Sequence, residues 1–430
     1  MNFSMMHPAD QIVMIMNRIY RYGLTTTSGG NLSIMDDNGI MWISPSGIDK
    51  GNLRREDIMR VFPDGTYEGI HTPSVEYPFH QAIYKARPDL KAILHAHPPT
   101  LVAFSVARKF PNTLLVPHAR LICGELAYAE YALPGSKKLG ENISAQFAKG
   151  YNTVMLENHG VVIGSPENLF KAFMVFETLD FCARLEINAR TIGLNPRPLT
   201  KAELERFQLK THPVMEEYEP VYSSEELGMR RDMCRLIKRA YENELFTSSQ
   251  GTFSCRVSDD TFLITPYDMD RTYLEPEDLV QIKAGKREKG KIPSRSMHLH
   301  EEIYRQHPEI NAVIVAHPHN IMAFAVTDQE FDARLIPESY IQLRNVKKYP
   351  FGSTFMEAEE MAARLTVDNP VAIIENDCVI TTGKSLINAF DRLEVMEYSA
   401  KSVIMTHTLG DIVHITDEEV DEIEVAFGLK

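Results

Sequence analysis

The chain has 430 residues, 44% hydrophobic and 24% charged, with a formal net charge of −14. That length calls for two or three domains with full cores, and the acidic balance argues against a nucleic-acid-binding surface, which is normally basic. The five scattered cysteines include no C-x-x-C pair, which fits reduced thiols in a cytoplasm, and no apolar run approaches the roughly 20 residues needed to span a bilayer. The stretch Met1–Pro8 lacks a basic segment followed by an apolar core, so no signal peptide is expected. Ile12, Ile15 and Ile19 recur at helical spacing and predict an amphipathic helix from Ala9 to Tyr22. Short strands follow at Leu32–Ile34 and Ile40–Ile43, then a helix across Glu76–Lys85. Ala92–Pro98 is a short apolar strand carrying His95 and His97. Helices are expected from near Thr100 and from Gly135-Ser136 into Phe147. A strand at Thr153–Leu156 leads into Asn158-His159-Gly160, where the glycine lets the backbone turn sharply. Glu167–Ala189 closes the segment as a long helix. Strands and helices are mixed rather than strictly alternating, which favours a mainly antiparallel sheet with helices packed around it.

His95 and His97 stand two apart on a strand, so both imidazoles point to one face and converge. With His159 arriving from the second strand they make a three-nitrogen set that can hold a divalent cation and leave a position open. Glu76, preceded by Pro73-Ser74-Val75, is the candidate acid/base, and burial beside apolar groups would lift its pKa toward neutrality. The plainer reading of Glu76 is a carboxylate favoured at a helix N-terminus.

The chain repeats itself. Residues 72–107 align without a gap onto 292–327 at an offset of 220: Pro73-Ser74 meets Pro293-Ser294, His80 meets His300, and His97-Pro98 meets His317-Pro318. The second copy has lost the chemistry, with Ser296 for Glu76, Val315 for His95, Asp377 for His159 and Tyr267-Asp268 for Ser46-Gly47. His80 survives where the ligands do not, so it is read as structural. Asn195-Pro196-Arg197-Pro198 opens a linker with a short helix at Lys201–Gln208. The expected division is residues 1–200 with an intact site, 201–222 as linker, and 223–430 as a degenerate copy. The acidic run Asp417–Glu424 reads as a solvated helix face.

The ordered set Ser28-Gly29-Gly30-Asn31-Leu32-Ser33, Ser44-Pro45-Ser46-Gly47, Pro73-Ser74-Val75-Glu76, His80, His95-x-His97-Pro98, Tyr131-x-x-Pro134-Gly135-Ser136 and Asn158-His159-Gly160 resembles the class II aldolase/adducin family. The resemblance implies two tandem α/β/α layered domains, each a mainly antiparallel sheet flanked by helices. It implies a metal-dependent lyase that cleaves a ketose 1-phosphate of the fuculose or rhamnulose type to dihydroxyacetone phosphate and an aldehyde. Zn²⁺ is the expected cofactor, with Mn²⁺ or Co²⁺ accepted by the same ligands His95, His97 and His159. Glu76 would be the acid/base, and Gly30, Asn31, Ser46, Gly47 and Ser74 would supply the phosphate-contacting turns. Val75 stands where the family usually has a second serine, which removes one hydroxyl donor. Family sites resemble those of four-fold rings completed by a neighbour's tyrosine. Two tandem chains could therefore form a homodimeric pseudo-four-fold ring, with Tyr340, expected in the loop after the second histidine strand, as the donated acid. A sugar-phosphate dehydratase and an adducin-like assembly protein are the alternative readings.

Overall fold

The computed structural model describes residues 3–208, 211, 212 and 214–429. Leu209, Lys210 and Pro213 of the expected linker, and Met1 and Asn2 of the amino-terminal stretch, lie outside the described residues. Contacts divide the chain into two units, one of Met1–Thr113 with His118–Arg184 and one of Leu114–Pro117 with Leu185–Lys430.

The first unit is built on strands β1 (Asn31–Met35), β2 (Met41–Ile43), β3 (Met59–Val61), β4 (Tyr67–Glu68), β5 (Ala92–Ala96), β6 (Leu126–Ala129), β7 (Thr153–Leu156) and β8 (Val161–Ser165). They form one sheet in the order β4-β3-β2-β1-β5-β8-β7-β6. Every pairing is antiparallel except β6 with β7. The helices are α1 (Pro8–Arg21), α2 (Tyr77–Ala86), α3 (Pro99–Val106), α4 (Pro117–Cys123), α5 (Lys137–Ala148) and α6 (Leu169–Thr191).

The sequence pattern explains the layers. On α2 and α5 the apolar residues Phe79, Ile83, Leu139, Ile143 and Phe147 meet Met41, Ile43, Ile93 and Val154 of the sheet in one buried cluster. Helix α1 lies along β1 and β2 and buries Ile12, Ile15 and Ile19, while Arg18 stacks over Phe173 of α6 at 4.7 Å. Alternation along β5 places Ile93 and His95 on the α2 side, next to the metal-binding candidates.

The second unit repeats this plan. Its strands are β9 (Glu217–Tyr218), β10 (Thr252–Ser258), β11 (Thr261–Ile264), β12 (Val280–Lys283), β13 (Lys286–Glu288), β14 (Ala312–Ala316), β15 (Lys347–Tyr349), β16 (Val371–Ile374) and β17 (Cys378–Gly383). The order β15-β16-β17-β14-β10-β11-β12-β13 is that of the first sheet, strand for strand, with β9 added at the far edge. The helices are α7 (Lys201–Gln208), α8 (Ser224–Glu242), α9 (Met297–Gln306), α10 (Met322–Ala325), α11 (Pro337–Leu343), α12 (Ala358–Arg364), α13 (Leu386–Thr406) and α14 (Asp417–Ala426). The fold class expected from the sequence is met in both copies. One placement is corrected: Tyr340 is on helix α11, started by Pro337 at its first position, and not in a loop.

One buried triad recurs. Ser33 Oγ meets His80 Nδ1 at 2.7 Å and the Tyr84 hydroxyl at 2.9 Å, and Ser254 meets His300 and Tyr304 at 2.6 and 2.7 Å. Each ties the central strand to the following helix. Phe147→Ala removes a fully buried ring from the α2–α5–sheet cluster. The variant should destabilise the first unit by roughly 3–5 kcal/mol in urea unfolding followed by far-UV circular dichroism.

Candidate active site

Three segments meet at the first-unit site: the end of β5, the turn between β7 and β8, and the start of α2. His95 is fully buried, and its Nδ1–H donates to the Val161 carbonyl at 2.9 Å, which fixes the tautomer and leaves the Nε2 lone pair facing the site. His97 lies one residue beyond β5, yet its Nε2 comes to 2.9 Å from His95 Nε2. His159 is set by its turn: its N–H donates to Ser105 Oγ at 3.1 Å, and Leu156 N–H donates to the Gly160 carbonyl at 2.8 Å. The left-handed residue of this turn is Asn158, with φ of 51°, so the expected conformational role of Gly160 is corrected. Gly160 is required for space: a Cβ there would lie 2.5 Å from the Ala96 oxygen and 2.7 Å from His97 Cδ2.

His95, His97 and His159 offer nitrogen atoms within 4.8 Å of one another and are the one group of three or more such side chains among the described residues that could hold a metal ion. Burial, with His95 and His159 alongside, pushes His97 down to about 3, and burial with His95 pushes His159 down to about 4. Both imidazoles are therefore neutral near pH 7, as metal ligation demands.

Glu76 faces this trio from the N-cap of α2. Its Oε2 accepts from Asn31 Nδ2 at 2.8 Å and lies 3.3 Å from His95 Nε2, while Oε1 is 3.5 Å from His159 Nε2. Oε1 is buried without a hydrogen-bond partner among the described residues. A buried carboxylate oxygen left over, beside three imidazole nitrogens gathered at one point, fits a bound cation. Burial presses the Glu76 carboxyl upward, but His95, His159 and the Asn31 amide outweigh it and hold it well below the usual carboxylate range. The expectation of a pKa lifted toward neutrality is thus corrected, because polar and basic neighbours line the carboxylate where apolar ones were expected.

The expected phosphate turns divide into two groups. An isolated bridge between Pro45 and Pro73 sets the Ser46-Gly47 turn beside Ser74, whose Oγ accepts from Glu76 N–H at 3.3 Å. Gly47 has a φ of 67° with open space around its α-carbon. Gly30 instead backs onto β5, where a Cβ would lie 2.8 Å from the His95 oxygen. Both ends of the Asn31 amide are engaged, Nδ2 to Glu76 and Oδ1 accepting from His80 Nε2–H at 2.5 Å. Tyr340 sits in the second unit, its hydroxyl donating to Glu424 at 2.8 Å.

Sequence reasoning missed the supporting layer: His80 as holder of Asn31, Ser105 as holder of His159, and Lys50. Lys50 is buried, donates to the Pro45 carbonyl beneath the Ser46-Gly47 turn, and is pushed down to about 8 by burial. Its counterpart Arg271, equally buried, donates to the carbonyls of Gln250 and Gly251, so the repeat alignment carried that signal. In the second unit Thr252 Oγ1 meets Ser294 Oγ at 2.7 Å, and Asp377 accepts from Thr354 at 2.7 Å.

Residues 10–187 and 231–404 each match the model described as Class II Aldolase and Adducin N-terminal domain. A 5-deoxy-D-ribulose 1-phosphate aldolase of Bacillus thuringiensis is 31% identical over 47% of this chain and 93% of its own. A 3-oxo-tetronate 4-phosphate decarboxylase of Haemophilus influenzae is 32% identical over 45% of this chain and 93% of its own. An L-fuculose phosphate aldolase of Methanococcus maripaludis is 31% identical over 41% of this chain and 93% of its own. Protein purified without chelator should carry close to one divalent ion per chain by elemental analysis, and His95→Ala should carry almost none.

Proposed function

The chain belongs to the class II aldolase and adducin family in both of its copies, and from that premise we propose that its first copy is a metal-dependent lyase acting on a ketose phosphate while its second copy is retired. The observation that carries this reading is the Glu76 carboxylate, buried and ionised against the His95–His97–His159 trio. A Zn²⁺ ion held by three neutral imidazoles would keep its full charge as a Lewis acid for the carbonyl and hydroxyl oxygens of a ketose, with Mn²⁺ or Co²⁺ able to substitute.

The chain's own residues do the remaining work. Glu76 takes the proton of the hydroxyl on the departing half as the carbon–carbon bond opens. The bonding pair stays with the keto-bearing half, the departing half leaves as an aldehyde, and Glu76 returns the proton to the carbon that has gained the pair. The Asn31 amide holds Oε2, so the unpartnered Oε1 is the atom that moves the proton. Ser46, Gly47 and Ser74 bind the phosphate through small hydroxyls and backbone N–H groups. Gly30 and Asn31 contribute by packing and by holding Glu76. We place the live copy in residues 1–200 and the retired copy in 223–430, with 201–222 between them.

The substrate favoured is a ketose 1-phosphate of the fuculose, rhamnulose or 5-deoxyribulose type. A second reading, decarboxylation of a 3-oxo sugar-acid phosphate, is supported by the decarboxylase relatives. That reaction releases carbon dioxide without first deprotonating a hydroxyl, so the two depend differently on Glu76. The proposed assembly is two chains, with Tyr340 as an acid donated by the neighbour.

Glu76→Gln should retain the metal and lower kcat for ketose 1-phosphate cleavage by on the order of 10²–10⁴. Retained metal with unchanged turnover would remove Glu76 from the mechanism. Tyr340→Phe should lower kcat by about tenfold or more with unchanged metal content, and a variant as fast as the parent would end its candidacy.

A further inference from the structure

The repeat extends further than the motifs. Helix α7 opens with a capping box in which Thr200 N–H donates to Glu203 at 2.7 Å and Glu203 N–H to Thr200 Oγ1 at 3.3 Å. Helix α14 opens with the same box, Thr416 N–H to Glu419 at 2.8 Å and Glu419 N–H to Thr416 Oγ1 at 3.3 Å. Just before each, Leu199 N–H donates to the Leu114 carbonyl and Ile415 N–H to the Arg334 carbonyl, at 2.8 and 2.9 Å. Segments 195–208 and 411–424 are thus equivalent, and so are the strips they run along, 114–117 and 334–337.

The first of these pairs is seated on the retired site, all within the second unit. Arg197 N–H donates to the Val326 carbonyl at 2.7 Å and its guanidinium to Asn376 Oδ1 at 2.9 Å. Asn376 Nδ2 donates to the carbonyls of Leu115 and Arg197 at 2.9 and 2.8 Å. Phe207 packs on Phe355, with ring centroids 5.8 Å apart, and Arg295, which stands where the first copy has Val75, lies over the Phe207 ring. Val326, Phe351 and Asn376 are buried, at 1%, 8% and 0% exposure.

Their equivalents around the live site are bare. Val106 and Tyr131 are 57% and 59% exposed, and Asn158, whose Oδ1 accepts only from the neighbouring Arg108 guanidinium among the described residues, is exposed as well. The second pair is equally bare: Val413, Val425 and Phe427 are 89%, 74% and 60% exposed, although α14 is anchored on α11 by Tyr340–Glu424 and by Arg334–Asp417 at 2.9 Å. One rim and one strap are therefore satisfied, and one rim and one strap of the same descent are not.

We propose that segment 409–427 docks on the rim of the live site in a second copy of this chain, as 195–208 does on the retired rim. This rests on the two-chain assembly proposed above and names the surface that makes it. Charge selects the pairing. Helix α14 carries six acidic residues, and the loop behind Val106 is Arg108-Lys109, whereas α7 is mixed in charge and the loop behind Val326 is Asp328-Gln329. An acidic strap suits the basic rim and is repelled by the other. Docking places Val413 against the Val106 carbonyl, the counterpart of the Arg197–Val326 bond. It also carries α11, with Tyr340, toward the live site.

Sedimentation velocity of the full chain at micromolar concentration tests this by mass, independently of any substrate. The parent should run as two chains, and Val413→Asp should shift it to one chain or weaken association at least tenfold. Val221→Asp, at a position 88% exposed outside both straps, should leave the mass unchanged. An equimolar mixture of Val106→Cys and Val413→Cys chains should form an interchain disulfide that neither chain forms alone. A parent that runs as a single chain overturns both the assembly and the docking. A two-chain parent whose Val413→Asp variant stays paired and whose cysteine mixture fails to cross-link overturns the docking alone. Neither result bears on whether Glu76→Gln stops turnover.

Discussion

An ionised carboxylate shut away from water costs several kcal/mol unless donors surround it, and the first copy is arranged around meeting that cost at Glu76. Asn31 Nδ2 donates to one carboxylate oxygen, and the opposite end of the Asn31 amide is held by His80. His80 can donate from Nε2 because its Nδ1 is taken by Ser33, which in turn meets Tyr84. The line of donors runs from the central strand through α2, so β1, β5 and α2 must be neighbours before Glu76 can face the histidines. Antiparallel pairing of Asn31 with His95 supplies that adjacency directly.

The two copies share one support and differ in the polar residues around it. Ser254, His300 and Tyr304 keep the strand-to-helix tie of the first copy, since strand and helix must pack in either case. Where Ser296 replaces Glu76 there is no buried charge to stabilise, and Thr252 in place of Asn31 bonds to Ser294. The turn equivalent to Asn158-His159 is engaged differently, with Asn376 hydrogen-bonded to the backbone and guanidinium of Arg197. His80 and its equivalent His300 are thus scaffold residues in both copies, and in the first His80 also positions Asn31, which holds Glu76.

Much of this was legible in the residues. The spacing of His95 and His97, the Asn158-His159-Gly160 turn and Glu76 follow from local pattern, because two-residue periodicity and turn chemistry act over a few residues, and the duplication follows from self-similarity at an offset of 220. Long-range partnerships were less accessible. Asn31 looked like part of a phosphate turn, yet its amide is spent on residues 45 and 49 positions away. Gly160 looked like the residue that lets the backbone turn sharply, and its place is instead fixed by the close approach of the Ala96 carbonyl. The acidic stretch at 417–424 looked like a solvated face, and its descent from the same element as α7 shows only when the two capping boxes and their backbone bonds are compared.

By itself the sequence determined the family, the duplication, the clustered histidines His95, His97 and His159 and the replacement of two of them in the second copy, since each depends on which side chains exist and how they are spaced along the chain. Only the tertiary structure decided which atoms are left without partners. The unpartnered Glu76 Oε1, the orientation of Asn31 and the contrast between a covered rim and a bare one depend on who packs against whom across hundreds of residues. Burial and hydrogen-bond satisfaction are properties of that packing, and no local pattern encodes them.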